Sequence, residues 1–185
     1  MRPAFSLLLL LLMVSLPTTL LKSAKISGTS LPDSLQRFDN DYRLHGCGLR
    51  ELLFSDIYLL GLYLNQPDTG SDNLIDSRRP RIFLLKVLYK GDLPEDIPDL
   101  WKEPLAEQLS REYLGILQDL YDEVDNGDTV EFFFHPENGE ILKINGEVHV
   151  RKSTVALVPA LTELWLGEDP VSDNLKRLLT NGDCR

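Results

Sequence analysis

The sequence predicts an α+β domain, a large antiparallel sheet covered by a layer of helices. Two apolar, β-prone runs, Phe54–Leu64 and Arg81–Tyr89, supply its central strands. A meander from Thr129 to Val150 is punctuated by Asn138-Gly139 and Asn145-Gly146, pairs that supply the positive φ angles of tight hairpins. Helical spacing of apolar residues appears between Leu105 and Val124 and again between Val155 and Trp165. With 185 residues the chain is long enough for one such domain to bury its own core.

The N-terminus reads as an address. Arg2 precedes an apolar run from Leu7 to Leu16 that Pro17 ends, the pattern of a secretory signal peptide. The run is too short for a spanning helix, which needs about 20 apolar residues. Residues 1–24 are therefore expected to be the signal and 25–185 the domain, although a cut after Ala24 leaves Lys22 at an awkward −3 position. The mature chain is expected in the periplasm or outside the cell, with no stable membrane span after signal removal.

Leu31-Pro32-Asp33 is expected to open the folded part, with a turn at Asp39-Asn40-Asp41 between two short strands. Both parities of Phe54–Leu64 are apolar after Asp56, as in a central strand covered on both faces, and Gly61 marks a bulge or the close approach of another element. Residues 65–79 read as a loop. Pro94, Pro98 and Pro104 restrict any helix before residue 105 to a short one; beyond it Leu105 to Val124 reads as one amphipathic helix. After the meander, Ser153 is expected to cap a helix ending at Gly167, and a short helix covers 172–179.

Composition removes several functions. The 29 acidic residues outnumber 19 Lys and Arg, giving a formal charge of −10, and such a body repels phosphate backbones, so no nucleic-acid partner is expected. His45, His135 and His149 lack metal-ligand spacing, so no metal and no cofactor are expected. Cys47 and Cys184 form no CxxC motif; in an oxidising compartment they could pair, but spacing alone does not decide it. Trp101, Trp165 and Phe132-Phe133-Phe134 read as core packing.

Four stretches in order resemble the chalcone isomerase-like family, in its bacterial secreted branch. They are LHGCGLR at 44–50, IYLLGLYL at 57–64, GDTVEFFFHPENGEILKINGE at 127–147 and ALTELWLGEDPVSDNLKRLL at 160–179. The resemblance spans about residues 31–180. It implies an open-faced β-sandwich with a ligand cleft between sheet and helices. It also implies either of two activities, closure of a hydroxychalcone to a flavanone or non-catalytic binding of a fatty acid.

The same resemblance reads 44–50 as the family's small-residue glycine turn and makes Arg50, which ends it, the residue that faces an anionic ligand group. A guanidinium stays charged and offers a fork of donors suited to a carboxylate, a phenolate or a developing enolate. Tyr58 matches the strand tyrosine that joins this arginine in the fatty-acid-binding members, where the isomerases have threonine. Tyr63, of opposite parity, cannot share that face. The isomerases also carry Tyr and Asn near the start of the helical region, whereas residues 94–105 contain neither. The expected function is binding of a small amphiphilic carboxylate or phenolic ligand, with Arg50 and Tyr58 as ligand-binding residues. Isomerase action on a chalcone-like enone, with Arg50 catalytic, and a scaffold role without a cleft are the alternatives.

Overall fold

The computed structural model describes residues 24–26, 28–66, 74–76, 78–152, 156–182 and 184. A small hairpin comes first, β1 (Ala24–Ile26) with β2 (Thr29–Leu31), so the described fold begins ahead of the predicted start at Leu31. Seven further strands form one sheet in sequence order: β3 (Ser34–Arg37), β4 (Asn40–Leu52), β5 (Ser55–Leu64), β6 (Arg81–Val87), β7 (Thr129–His135), β8 (Gly139–Ile144) and β9 (Glu147–Lys152). Every neighbouring pair is antiparallel. The first turn falls at Phe38-Asp39, with Phe38 at φ 51°, one residue ahead of the predicted 39–41; Asn40, Asp41 and the predicted second short strand belong to β4, which runs for 13 residues.

Alternation along the strands divides two apolar clusters. Tyr58, Leu60, Leu62, Phe83, Phe132 and Phe134 face the helices, while Leu59, Tyr63, Ile82 and Phe133 face the β1–β2 side. Gly61 answers its prediction through close approach: a Cβ there would lie 2.7 Å from Leu31 Cδ1. On this second face Arg37 and Lys143 both pair with the buried Glu131 carboxylate, and Tyr63 donates to Pro32 O at 2.8 Å.

The helical layer departs from the single long helix that periodicity predicts. Two helices stand there, α1 (Asp99–Gln108) and α2 (Arg111–Asp122). Pro104 lies inside α1, and the break falls later, where Leu109 is extended and the Ser110 hydroxyl accepts from Tyr113 N. Apolar spacing carries through such a break because both helices bury the same side; a local side-chain cap decides where the backbone leaves the helix.

Helix α3 (Leu157–Leu166) is buried nearly all round, as a central core helix is. The predicted cap Ser153 lies outside the described residues. What caps α3 among the described residues is Glu140 on β8, whose Oε1 accepts from Ala156 N at 3.0 Å and Val158 N at 2.7 Å. Helix α4 (Asp173–Thr180) is capped by Ser172, close to its predicted span. It packs on β4 because Gly46 and Gly48 clear the surface. A Cβ on Gly46 would collide with Leu179 O and sit 2.8 Å from Leu178 O, and one on Gly48 would sit 2.9 Å from Leu175 and Leu178 side-chain carbons. The glycines of 44–50 thus serve helix packing within strand β4, whose register with β5 shifts between Leu44 and Gly46, and they form no turn. Past Arg43, which pairs with the first residue of β3, Cys184 bridges to Cys47 on β4 and the two form a disulfide with Cα atoms 4.6 Å apart.

Candidate functional site

Gly46, Gly48 and Arg50 share one face of β4, in register with Leu62, Leu60 and Tyr58 of β5. The two glycines lie under α4. Arg50 is the next residue on that face, and its side chain borders a cavity of about 510 Å³ between the sheet and the helices. The floor is Ile57 and Tyr58 of β5, Leu85 and Val87 of β6, and Val130 and Phe132 of β7. Trp101 of α1, Leu117 and Leu120 of α2 and the proline-rich segment around Pro94 and Ile97 form the roof. Pro94 and Pro98 thus belong to an irregular segment ahead of α1 that lays Ile97 against the cavity. Gln118 fixes this segment to α2, accepting from Ile97 N at 3.1 Å and donating to Glu95 O at 3.1 Å.

A volume of this size, lined mainly by apolar side chains with a few polar groups, is typical of a site for one small organic molecule. Its polar lining comprises Arg50, Ser55, Tyr58, Tyr89, Asp92 and Tyr121. Arg50 is half-buried, donates from Nη1 to Glu51 O at 2.9 Å and forms no ion pair among the described residues. Asp92 stands exposed on the rim. Tyr58 is buried, and its hydroxyl accepts from Trp165 Nε1 at 3.3 Å. Burial pushes its pKa up to about 12, against smaller opposing pulls from the Trp165 bond and the Arg50 charge. The phenol consequently stays protonated through the physiological range and keeps a proton to offer an acceptor beside Arg50.

The structure thus brings the two sequence-predicted residues together on adjacent strands. Tyr63 points to the opposite face, as its parity requires. The isomerase-type Tyr and Asn, sought in 94–105, have no counterpart there: the cavity side of that segment is Pro94, Ile97, Pro98, Leu100 and Trp101. The histidines do not converge. His45 meets Thr180 O, His135 the Glu137 amide, and His149 the Glu123 carboxylate.

Two aromatics taken for plain core packing have a larger part. Trp101 forms a cavity wall and stands edge-to-face on Tyr58 (centroids 5.8 Å apart, planes at 83°) and on Trp165 (5.4 Å, 83°). Trp165 holds the Tyr58 hydroxyl. Tryptophan carries one polar atom that seeks a partner when buried, a signal present in the sequence; which oxygen it finds depends on how α3 lies on the sheet.

The architecture is shared with known proteins. No curated protein matches the chain. A crystal structure of a fatty-acid binding protein from Arabidopsis thaliana superposes with a TM-score of 0.62 at 20% identity, over 84% of this chain and 93% of that one. At that identity the likeness is one of fold. Residues 23–180 match the chalcone isomerase-like family model, and the chain belongs to the chalcone isomerase-like family.

Proposed function

We propose that this protein is a non-catalytic binder of one fatty acid or similarly anionic amphiphile. The head group lies against Arg50 and Tyr58 and the tail runs over Leu85, Val87 and Phe132 under Trp101. One observation carries the reading: a half-buried arginine without an acid partner among the described residues borders a mainly apolar cavity, directly across from a buried, protonated tyrosine. A guanidinium at such a place is satisfied by an anion that brings its own hydrocarbon, since burying the tail supplies the affinity and the fork orients the head. The solved relative, a fatty-acid binding protein, agrees with this chemistry.

The open cavity argues against a scaffold that uses the fold with a filled cleft. Tyr58 in place of the isomerase threonine, together with an apolar 94–105 segment, argues against catalysis on an enone. Export to the periplasm or beyond, as in a secreted bacterial member, belongs to the same reading. It is supported by Arg2 with the apolar run 7–16 and by the Cys47–Cys184 disulfide, a bond favoured in oxidising compartments.

Mass spectrometry of an organic extract of the purified protein tests the proposal. A carboxylate amphiphile recovered near one equivalent from the wild type, and depleted in Arg50→Ala, is the expected result. Extracts of both that are repeatedly empty, with no binding of added fatty acid, overturn it. Turnover of a hydroxychalcone, lost in Arg50→Ala, would replace it with the isomerase reading.

A further inference from the structure

The turn joining β4 to β5 is built in an unusual way. Leu52 pairs with Ser55, leaving Leu53 and Phe54 as a two-residue loop with φ of 47° and 71°. Both positions require the left-handed conformation that Asn-Gly adopts without steric cost, yet two bulky apolar residues occupy them. They are not covered: Leu53 is 84% exposed, Phe54 fully so, and Leu52 half so. Large apolar residues exposed singly are ordinary, and Phe38, which packs on Phe133 with Arg151 above it, is one of these. Three in succession at the apex of a hairpin are different, and Leu100 of α1, also half-exposed, joins them at the cavity rim.

We infer that this apex is a membrane-docking tip: Leu53 and Phe54 enter the headgroup–acyl boundary of a zwitterionic bilayer and set the cavity mouth against the lipid. Three features favour a bilayer over another protein. A two-residue apex offers far less than the roughly 800 Å² that each side of a standard protein interface buries, whereas a lipid surface needs only the side chains themselves. Depth agrees as well. Arg50 lies three residues before Leu53, about 10 Å along the strand, and interfacial apolar groups sink about 5–10 Å, so Arg50 rests at headgroup level when the apex is immersed. Finally, Leu52 and Leu53 line the cavity while belonging to the apex, giving an amphiphile an apolar path from the acyl layer inward. The formal charge of −10 disfavours an anionic surface and selects a zwitterionic one. Only the entry path rests on the proposed binding function; docking itself does not.

A nitroxide on Leu53→Cys, compared with one on Val148→Cys at the exposed face of β9, tests this in the full chain, where any pull from residues 7–16 is the same for both. With phosphatidylcholine vesicles, the residue-53 label is expected to become accessible to oxygen and shielded from a water-soluble relaxant, while the residue-148 label stays aqueous. The Phe54→Asp variant, at the apex residue that does not line the cavity, is expected to transfer a fluorescent fatty acid from vesicles at least about tenfold more slowly, with unchanged affinity for it in solution. A residue-53 label that stays in water with vesicles present overturns docking. So does spin–spin broadening that grows with protein concentration in their absence, which marks the apex as a contact between copies. An immersed label on a chain that binds no fatty acid upholds docking and refutes the binder.

Discussion

Trp165 Nε1 donates to the Tyr58 hydroxyl across 3.3 Å, joining the central helix α3 to the strand under the cavity by a buried polar contact. The indole can only donate and the phenol can do both, so the contact satisfies Trp165 and leaves the Tyr58 proton for a guest. Arg50, across the strand pair, supplies the charge. Together they set a charge and a hydroxyl side by side on one strand pair of a mainly apolar cavity, and the predictions below divide the work among these groups.

Arg50→Ala is expected to weaken a fatty-acid probe about 10- to 100-fold, corresponding to the roughly 1.5–3 kcal/mol of a hydrogen bond to a charged group. Arg50→Lys restores part of it, because a point charge replaces the charge but not the fork. Folding stability shifts by no more than about 0.5 kcal/mol, as for a residue outside the core. Probe displacement and urea unfolding measure the two quantities.

Tyr58→Phe is expected to have the opposite balance. It leaves the buried Trp165 N–H without its partner and costs about 1–3 kcal/mol of stability. A double-mutant cycle with Trp165→Phe recovers much of that loss, since the orphaned donor is gone too. With the phenol pushed up to about 12, probe binding in the wild type stays flat through the ordinary tyrosine range near pH 10. A step at that pH would mark a solvated hydroxyl.

Glu140 gives a pH-dependent stability. Burial raises its pKa, against the opposing pull of the α3 amides it caps, and Oε2 has no partner among the described residues. The native state therefore holds this proton more tightly than the unfolded chain does, and stability contributed by Glu140 falls as pH rises from the ordinary glutamate range, about 4.3, to the raised native value. Glutamine has no charge to bury. The difference in unfolding free energy, wild type minus Glu140→Gln, is expected to decline over that interval in urea titrations and then level off. A difference independent of pH refutes this account of the cap.

Gly46→Ala and loss of the disulfide probe the seating of α4. The added methyl meets the backbone oxygens of Leu178 and Leu179, which cannot swing aside, so a cost of about 1–3 kcal/mol is expected, read by thermal or urea unfolding. Cys47→Ser with Cys184→Ser removes a link across 137 residues and is expected to cost about 2–4 kcal/mol on the same measurement.

Much of this was legible from local pattern. Alternation marked β5 as covered on both faces and set Tyr58 apart from Tyr63, because side-chain direction along a strand has a period of two whatever the surroundings. Asn138-Gly139 and Asn145-Gly146 marked the meander through their backbone preference, and Gly139 and Gly146 do have positive φ. Where a competing local interaction wins, periodicity misleads: the Ser110 cap splits a stretch that reads as one helix, and apolar spacing is blind to it.

By itself the sequence marked the central strands, the two faces of β5 and the turns of the meander, which follow from near-neighbour rules of parity, spacing and turn chemistry that act along the chain. The family, and with it the choice of Arg50 and Tyr58, came from the resemblance of four stretches in order. Only the tertiary structure decided that Gly46 and Gly48 are a seat for α4, that Glu140 caps α3, that Trp165 holds Tyr58 and that the space under Trp101 stays open. Those outcomes depend on distances between segments far apart in the chain, set by how whole faces pack, and no local pattern carries that information.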